Sequence, residues 1–95
     1  MRDTKYATEL ACSTFDFPNG GGEARVERLR FKQPGYVGDE GYRFSWWKDG
    51  NMVQRPLDAT EDQMIAIFKG AIEAGVFTGR FVAELRAMLE SGSRT

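Results

Sequence analysis

Two groups of acidic residues are the first candidates for chemistry in this sequence of 95 residues. Asp39 and Glu40 are adjacent in a loop, and Asp58, Glu61 and Asp62 lie close together before an apolar pattern of helical period. Neighbouring carboxylates can serve as general acid and base or bind a divalent cation. The second group is better explained as the start of a helix, where negative charge is stabilising, and two adjacent carboxylates do not make a calcium-binding loop. An enzyme that uses one of these groups is therefore the least favoured function.

Nucleophiles, metal ligands and phosphate-binding loops are poorly represented in the sequence. It contains no histidine, the commonest general base and metal ligand, and its single cysteine, Cys12, has no imidazole to activate it. The glycine-rich segment NGGGE at residues 19–23 lacks the lysine and hydroxyl residue of a Walker motif, and it links two predicted strands instead of opening a helix. We therefore predict no catalytic residue, no cofactor and no metal site, a buried and unreactive Cys12, and a hairpin loop at residues 19–23.

Basic residues alternate with apolar ones in the segment EARVERLRFK. Arg28, Arg30 and Lys32 fall on one face of a predicted strand, and Leu29 and Phe31 fall on the other. Val26 is in phase with the basic residues, which indicates either a bulge or the true start of the strand.

Two adjacent tryptophans precede a tight turn in the segment YRFSWWKDGNMVQR. Asp49-Gly50 is a preferred pair for a type I′ hairpin, and counting outward pairs Trp47 with Met52. Side chains alternate faces along a strand, so the two indoles lie on opposite faces. The predicted core face carries Tyr42, Phe44, Trp46 and Val53; the other carries Arg43, Ser45, Trp47, Met52 and Gln54.

A functional surface forms if the basic strand face and the Trp47–Met52 pair share one open side of the sheet. Trp and Arg dominate protein-binding hot spots, and cationic surfaces with exposed aromatic rings also bind single-stranded nucleic acid. The alternative is a solvated face on which Trp47 shields its neighbours, since singly exposed apolar residues are common. The predicted binding residues are Arg28, Arg30, Lys32, Arg43, Trp47 and Met52.

The elements that must position these residues are strands followed by helices. The segment YATELACSTFDF is predicted as a first strand, although residues 4–17 would also suit a short helix. Thr60 and Gln63 form a capping box for a helix over about residues 61 to 74, with Gly75 directly after it. Thr78 caps a second helix whose apolar residues are Phe81, Val82, Leu85, Met88 and Leu89.

This order predicts an α+β fold: an antiparallel meander of three to four strands followed by two C-terminal helices packed on one face. Residues 1–90 form a single domain, and residues 91–95 form a frayed tail. The net charge of −1 provides no global basic field for nucleic acid. One cysteine and the absence of a long apolar run near the N-terminus predict a cytoplasmic protein that does not enter a membrane.

The segment RFSWWKDGNMVQRPLDATEDQM resembles a family of transcriptional coactivators that bind single-stranded DNA with a curved antiparallel sheet followed by a helix. The similarity consists of the aromatic strand, the Asp49-Gly50 turn, Pro56 and the helix capped by Thr60. The lysine-glycine stretch that this family has before its helix is missing, and a second helix is present instead. The resemblance implies a similar arrangement of sheet and helix and a single-stranded nucleic acid ligand.

We predict a small non-enzymatic interaction protein, monomeric or homodimeric, that binds a larger protein or nucleoprotein complex through its open sheet face. An inhibitor of a host defence system carried by a phage or mobile element, with a role like that of an anti-CRISPR protein, would suit a domain of this size. The alternative is a module that binds single-stranded nucleic acid through Arg28, Arg30, Lys32, Arg43 and Trp47.

Overall fold

Four consecutive strands form one antiparallel meander in the computed structural model, which describes residues 3–92. The strands are β1 (Ala7–Asp16), β2 (Glu23–Phe31), β3 (Glu40–Lys48) and β4 (Asn51–Met52), and the helices are α1 (Glu61–Glu73) and α2 (Gly79–Gly92). The predicted α+β fold class is confirmed. Residues 4–17, for which the sequence allowed either a strand or a short helix, contain strand β1.

The predicted hairpin joins β3 to β4. Asp49 and Gly50 both have positive φ, 52° and 80°, as a type I′ turn requires. Trp47 pairs with Met52, and the main-chain N–H of Val53 donates to the carbonyl oxygen of Trp46 over 2.8 Å. Because β4 ends at Met52, it lies beside only the last residues of β3.

The face of strand β2 that points to the helices is not the face that carries its large apolar residues Leu29 and Phe31. Ala24 and Val26 are buried in the core beneath α1, and Arg28 and Arg30 share their side of the sheet. The predicted bulge or strand start at Val26 is therefore wrong. Val26 lies within a regular strand, and the irregularity in pairing lies in β1, between Glu9 and Ala11.

Helix α1 covers the sheet over β1 and β2. Its residues Ile67 and Ala71 are buried with Ala24 and Val26, whose small side chains allow a close approach. At Gly70, an added Cβ atom would lie 3.3 Å from Ser13 Oγ of β1. The predicted capping box is confirmed by hydrogen bonds between Thr60 and Gln63 in both directions.

Helix α2 is attached to the sheet mainly by its N-terminal end. Thr78 accepts a hydrogen bond from the N–H of Phe81, and its own N–H donates to the Tyr42 hydroxyl over 3.0 Å. No residue of α2 is buried; Met88 and Leu89, whose spacing indicated packing, are 61% and 65% exposed. The helix includes residues 91 and 92 of the predicted tail, and residues 93–95 of that tail lie outside the described residues.

Candidate functional site

The predicted binding residues do not form one surface, because they are divided between the two sides of the sheet. Arg28 pairs with Tyr42, and Arg30 pairs with Glu40, on the side that carries the helices. Trp47 and Met52 pair on the other side, where Arg43 also lies. Lys32 lies just beyond β2, where its ammonium contacts Asp3 and donates to the main-chain oxygen of Thr4 over 3.0 Å. The condition for a single basic and aromatic surface is therefore not met.

The two arginines on the helix side share one carboxylate. Arg28 Nη1 lies 3.8 Å from Glu40 Oε1, and Arg30 Nη2 lies 3.4 Å from Glu40 Oε2. Ion pairs of this kind reduce the positive potential that would attract a phosphate backbone. Glu40 was considered as a catalytic carboxylate in the sequence, and in the fold it is the partner of these arginines.

On the outer side of the sheet, Arg43 is held by a buried glutamate. Glu27 is 0% exposed, and it accepts hydrogen bonds from Arg43 Nε and Nη2, each over 3.1 Å. This bidentate geometry is the strong form of an arginine–carboxylate pair. Arg43 therefore has a structural partner on the face that was predicted to bind a ligand.

Trp47 is half-buried and makes several contacts with its neighbours on the outer side of the sheet. Its indole N–H donates to Ser45 Oγ over 2.8 Å, and the Arg25 guanidinium lies 4.9 Å from its ring centroid. Arg25 is further paired with Glu23 over 3.3 Å. Arg25 lies directly opposite Ser45, a neighbour that only the register between β2 and β3 reveals.

The two indoles lie on opposite faces of the sheet, as predicted. Trp46 pairs with Ala24 on the helix side, and Trp47 pairs with Glu23 on the other. The indole N–H of Trp46 donates to the carbonyl oxygen of Gly21 over 2.7 Å, so it fixes the glycine loop against β3. The adjacent tryptophans thus pack on different sides of the sheet, Trp46 on the helix side and Trp47 on the outer side.

Cys12 lies opposite Glu27 on the outer side of the sheet and is half-buried. Burial raises the pKa of its thiol; the positive charge of Arg25 opposes this effect, and nearby glutamates including Glu27 reinforce it. Because the thiolate is the reactive form, we expect iodoacetamide to modify Cys12 more slowly than in the urea-unfolded chain. The midpoint of the pH–rate profile should also lie higher, which mass spectrometry of the alkylated protein measures. Equal profiles for the folded and unfolded chains would contradict this expectation.

Exposed aromatic rings occur on the helix side, where the sequence predicted a covered core. Tyr42 and Phe44 of β3 contact rings from the helical half of the chain, with centroids 5.0 Å apart for Tyr42–Phe81 and 5.6 Å for Phe44–Phe68. Phe77 joins these pairs, since it lies 5.2 Å from Phe81 and 5.8 Å from Phe68. Phe44 and Phe81 are nevertheless 41% and 37% exposed.

Exposed apolar side chains also occur on both helices. Ile65 and Ile72 of α1 are exposed and lie three and four residues from Phe68, so they share its side of the helix. Met88 and Leu89 continue the apolar pattern of α2 beyond Phe81. We call this region the helix-side aromatic surface: Phe44, Ile65, Phe68, Ile72, Phe81, Met88 and Leu89.

Within residues 3–92, no group of three or more cysteine, aspartate or glutamate side chains is arranged to hold a metal ion. In the same part of the chain, neither helix is long and apolar enough to cross a membrane. No protein-family model matches the chain, and comparisons with curated proteins and with solved structures likewise gave no match.

Proposed function

We propose that this chain is a non-enzymatic interaction protein and that it binds a larger protein through the helix-side aromatic surface. The observation that carries the proposal is the exposure of Phe44, which is 41% accessible although its neighbour Phe77 is buried and its neighbour Phe68 is only partly exposed. Exposed apolar side chains together with aromatic rings are typical of protein-binding surfaces. The predicted open-face surface is less favourable, because Trp47 lies beneath Arg25 and Arg43 is bound by Glu27.

Single-stranded nucleic acid is a less favoured ligand for the same structural reasons. Arg28 and Arg30 face Glu40 on one side of the sheet, and Arg43 faces Glu27 on the other. A cationic groove with stacking aromatic rings requires such groups on one surface. The setting of a phage or mobile-element inhibitor stays a prediction from the sequence.

Removal of one exposed ring tests the proposed function. We expect Phe44→Ala to weaken partner binding by at least about 30-fold, the effect of losing a hot-spot side chain. Tagged protein is used to capture partners from a lysate of the source organism, with and without nuclease, and captured proteins are then purified for direct affinity measurement. Binding should survive nuclease and tolerate salt, because an apolar interface involves little counterion release.

Tyr36→Ala is the matched control, since Tyr36 is an exposed aromatic residue in the loop between β2 and β3. It should leave affinity unchanged, and thermal unfolding establishes that both variants are folded. The proposal fails if Phe44→Ala binds as tightly as the unchanged protein, or if nuclease removes all captured partners.

A further inference from the structure

The outer edge of β3 is open over much of its length. Within residues 3–92, the neighbouring strand β4 pairs only with Trp47 and Lys48, at the end of β3. The carbonyl oxygen of Trp46 accepts from Val53 and so points to this edge. Main-chain groups alternate sides along an antiparallel strand, with N–H and C=O of one residue on the same side. The N–H and C=O groups of Phe44 and Tyr42 therefore also point to the open edge.

Strand β3 itself carries few of the features that usually protect a sheet edge. Proteins block strand pairing with a bulge, a proline or charged side chains along the edge. The pairing of β3 with β2 is continuous from Trp47 to Glu40, and the strand contains no proline. Its only central charge, Arg43, is bound to Glu27 on the outer side. On the helix side, the edge presents the exposed ring of Phe44.

We propose that an extended segment of the partner protein adds to β3 as a fifth strand. The inference rests on the proposed function and specifies its binding mode. Main-chain hydrogen bonds to Tyr42 and Phe44 would satisfy the open edge, and apolar side chains at every second position of the segment would cover Phe44 and Phe81. A docked helix could cover the rings, but its main-chain groups are used internally and would leave those of β3 without a protein partner.

Charged residues near the start of β3 indicate which side chain the partner's added strand should carry at one end. A recess beside the start of β3 is lined by Tyr42, Phe81 and the charged residues Asp39, Glu40, Arg80 and Glu84. Among the described residues, Asp39 and Glu84 form no ion pair, whereas Glu40 is shared by Arg28 and Arg30. Because Glu40 is already shared by two arginines, the carboxylates without an ion pair in the recess are Asp39 and Glu84, against the one guanidinium of Arg80, and this excess favours a cationic ligand group. The segment should therefore carry a lysine or arginine at the end that lies near Asp39 and Glu84.

A library of random ten-residue peptides displayed on phage tests this inference when it is selected against the full chain. Selected peptides should alternate apolar and polar residues and carry a basic residue near one end. In a synthetic copy of one selected peptide, backbone N-methylation at every second position should weaken binding more than about 10-fold, because it removes a ladder hydrogen bond. N-methylation at the intervening positions should have little effect. Uniform effects at all positions would overturn strand addition.

Amide hydrogen exchange followed by NMR gives a second readout on the protein itself. The amides of Tyr42 and Phe44 should exchange rapidly in the free chain and at least about 100-fold more slowly with saturating peptide. The amides of Arg43 and Ser45 point to β2 and serve as internal controls that are protected in both states. Glu84→Gln should weaken a peptide with a terminal lysine several-fold and leave the norleucine analogue unchanged.

The outcomes distinguish this inference from the proposed function. If a captured protein requires Phe44 but leaves the amide exchange of Tyr42 and Phe44 unchanged, the strand inference falls and the proposed function stands. If Phe44→Ala weakens the binding of neither a captured protein nor a selected peptide, both the proposed function and the strand-addition inference are wrong. If these amides become protected with rising protein concentration alone, β3 pairs with a second copy of this chain, and the inferred partner is wrong.

Discussion

Replacing Arg43 with methionine is expected to lower the free energy of unfolding by about 3 kcal/mol, the lower end of the range for breaking a buried ion pair. The change leaves the carboxylate of Glu27, which is 0% exposed, without the guanidinium that donates two hydrogen bonds to it. The lower end applies because the Arg43 side chain is 31% exposed, so water can replace part of the lost interaction. Methionine retains much of the apolar stem of arginine, which limits the loss of packing. Urea denaturation at neutral pH measures the effect.

A double-variant cycle separates the contribution of the ion pair from the cost of a buried carboxylate that has lost its arginine. In Glu27→Leu with Arg43→Met, both charges of this pair are removed, and stability should return to within about 1 kcal/mol of the unchanged protein or exceed it. A cost below about 1 kcal/mol for Arg43→Met alone would show that solvent reaches Glu27. A double variant as unstable as the single one would instead indicate that packing dominates at this position.

The local elements were predictable because their chemistry is local. The Asp49-Gly50 turn needs two residues with positive φ, and the capping box of α1 needs Thr60 and Gln63 three residues apart. Such signals depend on a few neighbouring residues and not on the rest of the fold. They were sufficient to give the order of strands and helices and the opposite placement of the two indoles.

The orientation of β2 was not predictable from its pattern, because a period of two fits either face of a sheet. The larger residues Leu29 and Phe31 indicated the core, but α1 packs on the smaller Ala24 and Val26. Leu29 is buried on the opposite side, and the Phe31 ring lies where a side chain on Gly41 would be, with a ring atom 2.7 Å from an added Cβ. Glycine at position 41 thus leaves space that an aromatic residue of the neighbouring strand fills.

The candidate site depends on two tertiary features that the sequence does not encode locally. The register between β2 and β3 decides that Arg43 meets Glu27 and that Arg30 meets Glu40. The position of α1 over β1 and β2 decides that Phe44, predicted as core, stays exposed next to an open strand edge. Helix α2 touches the sheet mainly at its N-terminal end and leaves Phe44 exposed. The sequence therefore predicted the apolar stripe on β3 without predicting its exposure.

Replacing Gly22 with alanine is expected to destabilise the fold by about 3 kcal/mol, because two separate costs add. Gly22 has a φ of 83°, where a residue with a Cβ atom costs roughly 1–2 kcal/mol. An added Cβ would also lie 2.2 Å from the carbonyl oxygen of Trp47, so the loop or β3 must shift, and such overpacking typically costs about 1–3 kcal/mol. Urea denaturation followed by tryptophan fluorescence measures both stability and any change around Trp46, whose indole nitrogen lies 3.0 Å from the same point.

Gly20→Ala is the control that isolates the contact with β3. Gly20 lies in the same loop with a φ of 73°, but no other atom lies within 4 Å of an added Cβ. It should therefore cost only the roughly 1–2 kcal/mol of the unfavourable backbone conformation. If Gly22→Ala lowers the free energy of unfolding clearly more than Gly20→Ala does, the close approach of this loop to Trp47 holds the loop against the end of β3 that carries Trp46 and Trp47. Equal costs for the two variants would mean that the loop moves away freely, and that the bond from Trp46 to Gly21 contributes little to holding it.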